Sequence, residues 1–80
     1  MKDPEFSQEW KKSQVEFQVA KAVIAARIKR KMSQKELAER LSTRQSVISR
    51  VENAKTIPTL SFLKRLADAL DVTLEVRFGI

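Results

Sequence analysis

The sequence predicts an all-α protein, a compact helical bundle that ends in one short C-terminal β-strand. Three observations carry this. Apolar residues recur at helical spacing in four stretches: Val15 to Lys31, Gln34 to Leu41, Gln45 to Val51 and Leu60 to Leu70. Turn and cap residues punctuate them at Ser33, Ser42-Thr43 and Ala54 to Thr59. The period changes to two only in the tail, where Val72, Leu74, Val76 and Phe78 alternate with Thr73, Glu75 and Arg77.

Eighty residues make one small domain, and a chain this short buries only roughly 60% of its unfolded surface, so a partner subunit would help it. The absence of cysteine and histidine excludes disulfides, the usual zinc sites and most nucleophilic or imidazole chemistry. The carboxylates are scattered on helical surfaces and nothing resembles a nucleophile with its base, so neither an enzyme nor a cofactor is expected. No apolar run approaches the ~20 residues of a membrane span, and the N-terminus lacks the apolar core of a signal peptide. A cytoplasmic location is the plain expectation. The net charge is +6, and residues 1–32 hold eight basic against four acidic side chains, residues 33–57 five against three, and residues 58–80 three of each. Such a distribution suits a polyanionic partner, and equally suits simple solubility.

In chain order, Asp3-Pro4-Glu5 starts a leader helix, with aspartate as N-cap and proline in the first helical position. Phe6 and Trp10 give it an apolar edge that either covers the core or docks a partner protein. Ser13-Gln14 either kinks this leader or lets it run on. From Val15 to Lys31 the stripe Phe17, Ala20, Ile24 and Ile28, with Val19, Val23 and Ala26 beside it, makes the central packing helix. Its cationic end is favourable at a helix C-terminus, and Lys29 to Lys31 are either solvated or touch phosphate.

Ser33 and Glu36 form a capping box, and Leu37, Ala38 and Leu41 give the next helix one apolar face. After the turn at Ser42-Thr43, Val47, Ile48 and Val51 repeat the pattern. The opposite face then presents Gln45, Ser46, Ser49, Arg50 and Asn53. Amides, hydroxyls and one arginine are side chains that can read base edges in a major groove. Pro58 and Thr59 open the last helix, in which Leu60, Leu63, Leu66, Ala67 and Leu70 face inward with Phe62 alongside. A lone strand leaves its backbone groups unpaired, so the tail is expected to pair with the same strand of a second subunit or with another protein, unless it frays.

Residues Phe17 to Leu70 resemble the Xre, or phage-repressor-like, helix-turn-helix family, through SQKELAER, SVISRVEN and PTLSFLKRLADAL. The whole chain is similar to HigA-type antitoxins of type II toxin-antitoxin systems, through its leader and its tail. The resemblance implies a lambda-repressor-like fold in which the second helix of the pair enters the major groove. Gln45 and Arg50 are then the bidentate base readers, for adenine and guanine, with Ser46 and Ser49 adding smaller contacts. It implies a phosphate contact from Gln34 at a helix N-terminus, and a pairing of Arg27 with Glu52. Arg44, Asn53, Lys55 and Thr56 flank the reading face and would hold the phosphates.

The chain departs from the family where glycine or a similar small residue is customary, at Lys31, Ser42, Ala54 and Asp71. Arg44 replaces the usual serine or threonine N-cap, so the cap either moves to Thr43 or is lost. The expected organisation is a leader helix over residues 1–13, a DNA-binding domain over 14–71 and a dimerisation strand over 72–80. The expected function is that of a homodimeric antitoxin that binds a palindromic operator, represses its own operon and neutralises a small, basic, RelE-like ribonuclease toxin. The alternatives are a stand-alone Xre regulator and a module whose main task is protein binding.

Overall fold

The computed structural model describes residues 4–78, with side chains placed from residue 14 onward. Asp3 and the side chains of Phe6 and Trp10, read above as a cap and an apolar edge, lie outside what is described. The described residues form four helices: α1 (Pro4–Lys29), α2 (Gln34–Arg40), α3 (Gln45–Glu52) and α4 (Leu60–Leu70). The first runs without a break through Ser13-Gln14.

The core forms where α2 and α3 cross and α1 and α4 close over them. Leu37 and Ile48 are wholly buried, and Val51, Ala38, Leu41, Val23, Leu66 and Leu70 complete the cluster. Each large aliphatic side chain so buried contributes about 1.5–3 kcal/mol. The i, i+1, i+4 triplets of α2 and α3 thus meet face to face, which sets the angle at which the outer face of α3 is presented.

The buried stripe of α1 differs from the expected one. Ala20 and Val23 are buried with Val19 and Ala26 against them, whereas Phe17 is 53% and Ile28 61% exposed. Phe17 and Ile28 lie roughly 140° around the axis from Val19, Val23 and Ala26, with Ala20 of the expected stripe between the two groups; the side that turns inward is the one that faces α3. Leu60, expected inside, is likewise 57% exposed; it shares the side of Ala67 but sits in the first turn of α4, where the helix begins.

All four helices end in one way. Lys31, Ser42, Ala54 and Asp71 all have φ between 54° and 58°, and each is followed by a bond from the next residue's N–H to a carbonyl five positions back. These bonds are Met32 to Arg27, Thr43 to Ala38, Lys55 to Arg50 and Val72 to Ala67, each 2.9–3.0 Å. Left-handed backbone costs a residue with a Cβ about 1–2 kcal/mol. The four positions where glycine is customary are therefore the four strained ones.

The tail, expected as a strand, carries none among its described residues, 72–78. The physical reason is that a ladder needs a neighbouring backbone, and the described residues of a single chain provide none. Val72, Val76 and Phe78 are exposed and Leu74 is half-buried. The tail borders a cleft of about 590 Å³ between α1 and α4, floored by Val19, Val23, Leu63 and Leu66. No helix among the described residues is long and apolar enough to cross a membrane.

Candidate nucleic-acid interface

The site is built on α3, and its neighbours decide how that short helix is held. On its N-terminal side, α2 starts from a complete capping box. Ser33 Oγ accepts the Glu36 N–H at 3.0 Å while Glu36 Oε1 accepts the Ser33 N–H at 2.8 Å. At the start of α3 itself the N-cap is Arg44, in extended conformation and without a side-chain cap bond. The cap is thus lost rather than moved, and no side chain caps the positive end of the α3 dipole.

On its C-terminal side α3 is anchored by charge. Arg27 donates from Nε to Glu52 Oε2 at 2.6 Å and from Nη2 to Oε1 at 3.0 Å. Its Nη1 donates to the Met32 carbonyl at 2.9 Å. Gln34 adds a bond from Nε2 to Glu52 Oε1, also 2.9 Å. Three donors from α1 and α2 therefore converge on the two carboxylate oxygens, and Glu52 is the one buried charged residue in the described core. A bidentate arginine–carboxylate pair is among the stronger and more directional polar contacts. The Glu52 hydrogen bond raises the Arg27 pKa above its ordinary value; burial opposes this and the Glu52 charge adds to it. A raised basic pKa means that the contribution is fully present below the unfolded value and is lost only as pH rises through the folded one. Arg27 therefore keeps the clasp intact across the neutral range.

Between these anchors the outer face of α3 is polar. Gln45, Ser46, Arg50 and Asn53 are exposed and Ser49 is half-buried, while Ile48 and Val51 point inward. Asn53 Nδ2 donates to Ser49 Oγ at 3.2 Å. Arg44 lies exposed at one end of this face, with Lys55 exposed and Thr56 half-buried beyond the other. The structure therefore brings Gln45, Ser46, Ser49, Arg50 and Asn53 onto one helix face. Gln34 stands apart, with its amide turned toward Glu52. One amide hydrogen remains to it for an outside acceptor.

Two further arginines have roles that spacing alone did not reveal. Arg30, read above as solvated or on phosphate, donates to the carbonyls of Leu70 at 2.9 Å and Asp71 at 2.8 Å, which ties the end of α1 to the end of α4. Arg65 donates to the Leu41 carbonyl at the end of α2, with its guanidinium 5.9 Å from the Phe62 ring centre. Both act as cations at helix C-termini. The available sequence signal was only a cation of adequate reach, which does not say which helix it will serve. Lys29 and Lys31 stay exposed. Among the described residues no group of three or more carboxylates is placed to hold a metal ion.

With this geometry in view, the comparison with known proteins is direct. The helix-turn-helix family model matches residues 23–76, which covers about the last quarter of α1, all of α2 to α4 and most of the tail. The chain belongs to the helix-turn-helix family. Among curated proteins, this helix-turn-helix chain is similar to Multiprotein-bridging factor 1c of Arabidopsis thaliana, with 32% identity over 65 residues that span 81% of this chain and 44% of the relative. It is also similar to Multiprotein-bridging factor 1 of Saccharomyces cerevisiae, with 39% identity over 56 residues, 70% of this chain and 37% of that protein. The same factor of Candida albicans is 38% identical over 60 residues, 75% of this chain and 40% of that protein. The chain spans less than half the length of these relatives. No solved structure gives a significant match. These relatives are bridging factors and not antitoxins, so the comparisons place the chain in the helix-turn-helix family without supporting the HigA-type subfamily.

Proposed function

We propose that this chain is a sequence-specific DNA-binding regulator that lays α3 in the major groove. The observation that carries the reading is the sorting of α3: amides, hydroxyls and one arginine on a face free of carboxylates, with the single acid of that helix, Glu52, drawn inside by Arg27 and Gln34. In this arrangement Gln45 and Arg50 meet base edges, Ser46 and Ser49 add shorter contacts, and Arg44, Asn53, Lys55, Thr56 and the remaining Gln34 amide hydrogen serve phosphates. The uncapped N-terminus of α3 favours the same polyanion. Lys55→Ala tests the phosphate assignment. Its affinity for all sequences falls alike and the slope of log affinity against log salt drops by about one unit; an unchanged slope in filter-binding titrations removes Lys55 from the interface.

One copy covers a half-site. A two-fold dimer, with half-sites about 34 Å apart, reads a palindromic operator. The exposed apolar residues of the tail, Val72, Val76 and Phe78, support dimerisation through pairing of tails, where a second backbone supplies the ladder that one chain lacks. Deleting residues 72–78 then lowers the mass seen in sedimentation equilibrium to that of a monomer, and a dimer that survives the deletion places the interface elsewhere.

A second reading, a module that also binds protein, is favoured by the name of its relatives, bridging factors. The antitoxin form of that reading rests on the likeness of leader and tail alone. Co-expression with the adjacent open reading frame decides it: a small basic ribonuclease that co-purifies with the chain supports it, and purification of the chain alone removes it in favour of a stand-alone regulator.

A further inference from the structure

A second apolar stripe runs along α1, on a side that the core does not use. Phe17 is 53% and Ile28 61% exposed, and Ile24 between them is half-buried. Steps of seven and four residues set the three within about 40° of one another on a helix, over about 16 Å of its length. Because α1 is unbroken from Pro4, positions 6 and 10 fall in the same register. A stripe this narrow, with apolar positions seven and four apart, suits the seam between two helices; a helix that lies in a lipid surface presents a wider apolar face.

The charges beside the stripe are sorted. Lys21 stands about 40° from Phe17 and Lys29 farther round on the same flank, both exposed. Neither takes part in an ion pair among the described residues. The other flank belongs to the fold: Ala20 is buried there, and Arg27 holds Glu52. Glu16, the one acid of α1 among the residues with placed side chains, lies on that flank, about 100° from Phe17. Two copies of α1 packed along this stripe bring Lys21 of each chain to a seam that holds no carboxylate, and like charges in an interface oppose binding. A second copy is thus the wrong occupant, and an acidic helix the right one.

We propose that Phe17, Ile24 and Ile28 form a docking seam for an amphipathic helix of another protein, one with apolar residues at the same spacing and carboxylates on the flank that meets Lys21 and Lys29. This rests on the protein-binding reading above and gives it a partner chemistry; it does not depend on α3 entering a groove. Because α3 packs on the Val23 side of α1, the seam does not compete with α3 for that helix.

The experiment displays a library of peptides of about 20 residues, long enough to hold a helix alone, with leucine or isoleucine fixed at the seam positions and the flanking positions randomised. Selection against the full chain recovers peptides with aspartate or glutamate on one flank. Phe17→Ala combined with Ile28→Ala weakens them roughly tenfold or more, while the urea midpoint and the affinity for a DNA duplex stay in place, because both side chains are exposed and neither lies on α3. Lys21→Glu weakens the same peptides about fivefold, as an exposed pair turns into a like-charge contact, and selection against that variant recovers lysine or arginine on the flank instead. Peptides without an acidic flank, peptides that bind the double variant as well as the wild type, or no peptide at all overturn the proposal. So does a wild-type chain that sediments with phosphatidylserine vesicles through Phe17, which gives the stripe to a lipid surface. A protein that co-purifies equally well with the double variant keeps the protein-binding reading and removes the seam.

Discussion

Arg27→Ala lowers the free energy of unfolding by about 3 kcal/mol, the lower end of the range for stripping one partner from a buried ion pair. The lower end applies because the Arg27 side chain is 16% exposed, although that of Glu52 is only 4% exposed. Alanine leaves the Glu52 carboxylate with Gln34 as its one remaining side-chain donor and also frees the Met32 carbonyl. For a domain of this size, with a total stability of about 5 kcal/mol or slightly more, about 2 kcal/mol remains and the unfolded fraction rises to roughly 3% at 25 °C. The double variant Arg27→Met with Glu52→Leu removes both charges and fills the space, and its stability returns to within about 1 kcal/mol of the wild type. Urea titrations of the three proteins check this. A single-variant cost below about 1 kcal/mol shows that water reaches Glu52 and that the clasp is a surface pair.

Arg50→Ala and Gln45→Ala each cost about 1–3 kcal/mol of binding on the preferred operator and relax the preference at the base pair each one contacts. Both side chains are exposed, and Arg50 takes part in no ion pair among the described residues. Their removal therefore changes unfolding by no more than about 0.5 kcal/mol, which separates the effect from that of Arg27→Ala. Competition titrations against operator and random duplex measure the difference. Equal losses on both defeat the assignment of these two residues to base edges and turn them into phosphate contacts.

The elements that could be read before any fold was known are the ones with local causes. The capping box joins residues three apart, and the family resemblance marked the four left-handed turns, at the positions where glycine is customary. The reading face of α3 follows from the register of Val47, Ile48 and Val51. The resemblance, not the spacing, pointed to Arg27 and Glu52, which lie 25 positions apart. Less could be read wherever two local solutions were equal. Phe17 and Ile28 make as good a stripe as Ala20 and Val23, and only the position of α3 separates them. Alternation in the tail identified residues fit for a strand, but a strand is a property of two backbones and the tail belongs to one.

The sequence by itself therefore determined the helices from Val15 onward, the turns that separate them and the face of α3 that stays polar, while leaving open whether the leader joins α1. Hydrogen bonds and side-chain periodicity within one or two turns are enough for each. Tertiary structure alone decided which side of α1 is buried and that Arg30 closes α4 and Arg65 closes α2. It also decided that Gln34 turns its amide to Glu52, and that Asn53 donates to the Ser49 oxygen. The first four depend on how one helix is rotated against another, across 18 to 40 positions of chain for the hydrogen bonds, and no local pattern encodes that rotation. The last spans only four residues and is a choice among side-chain rotamers that periodicity does not encode.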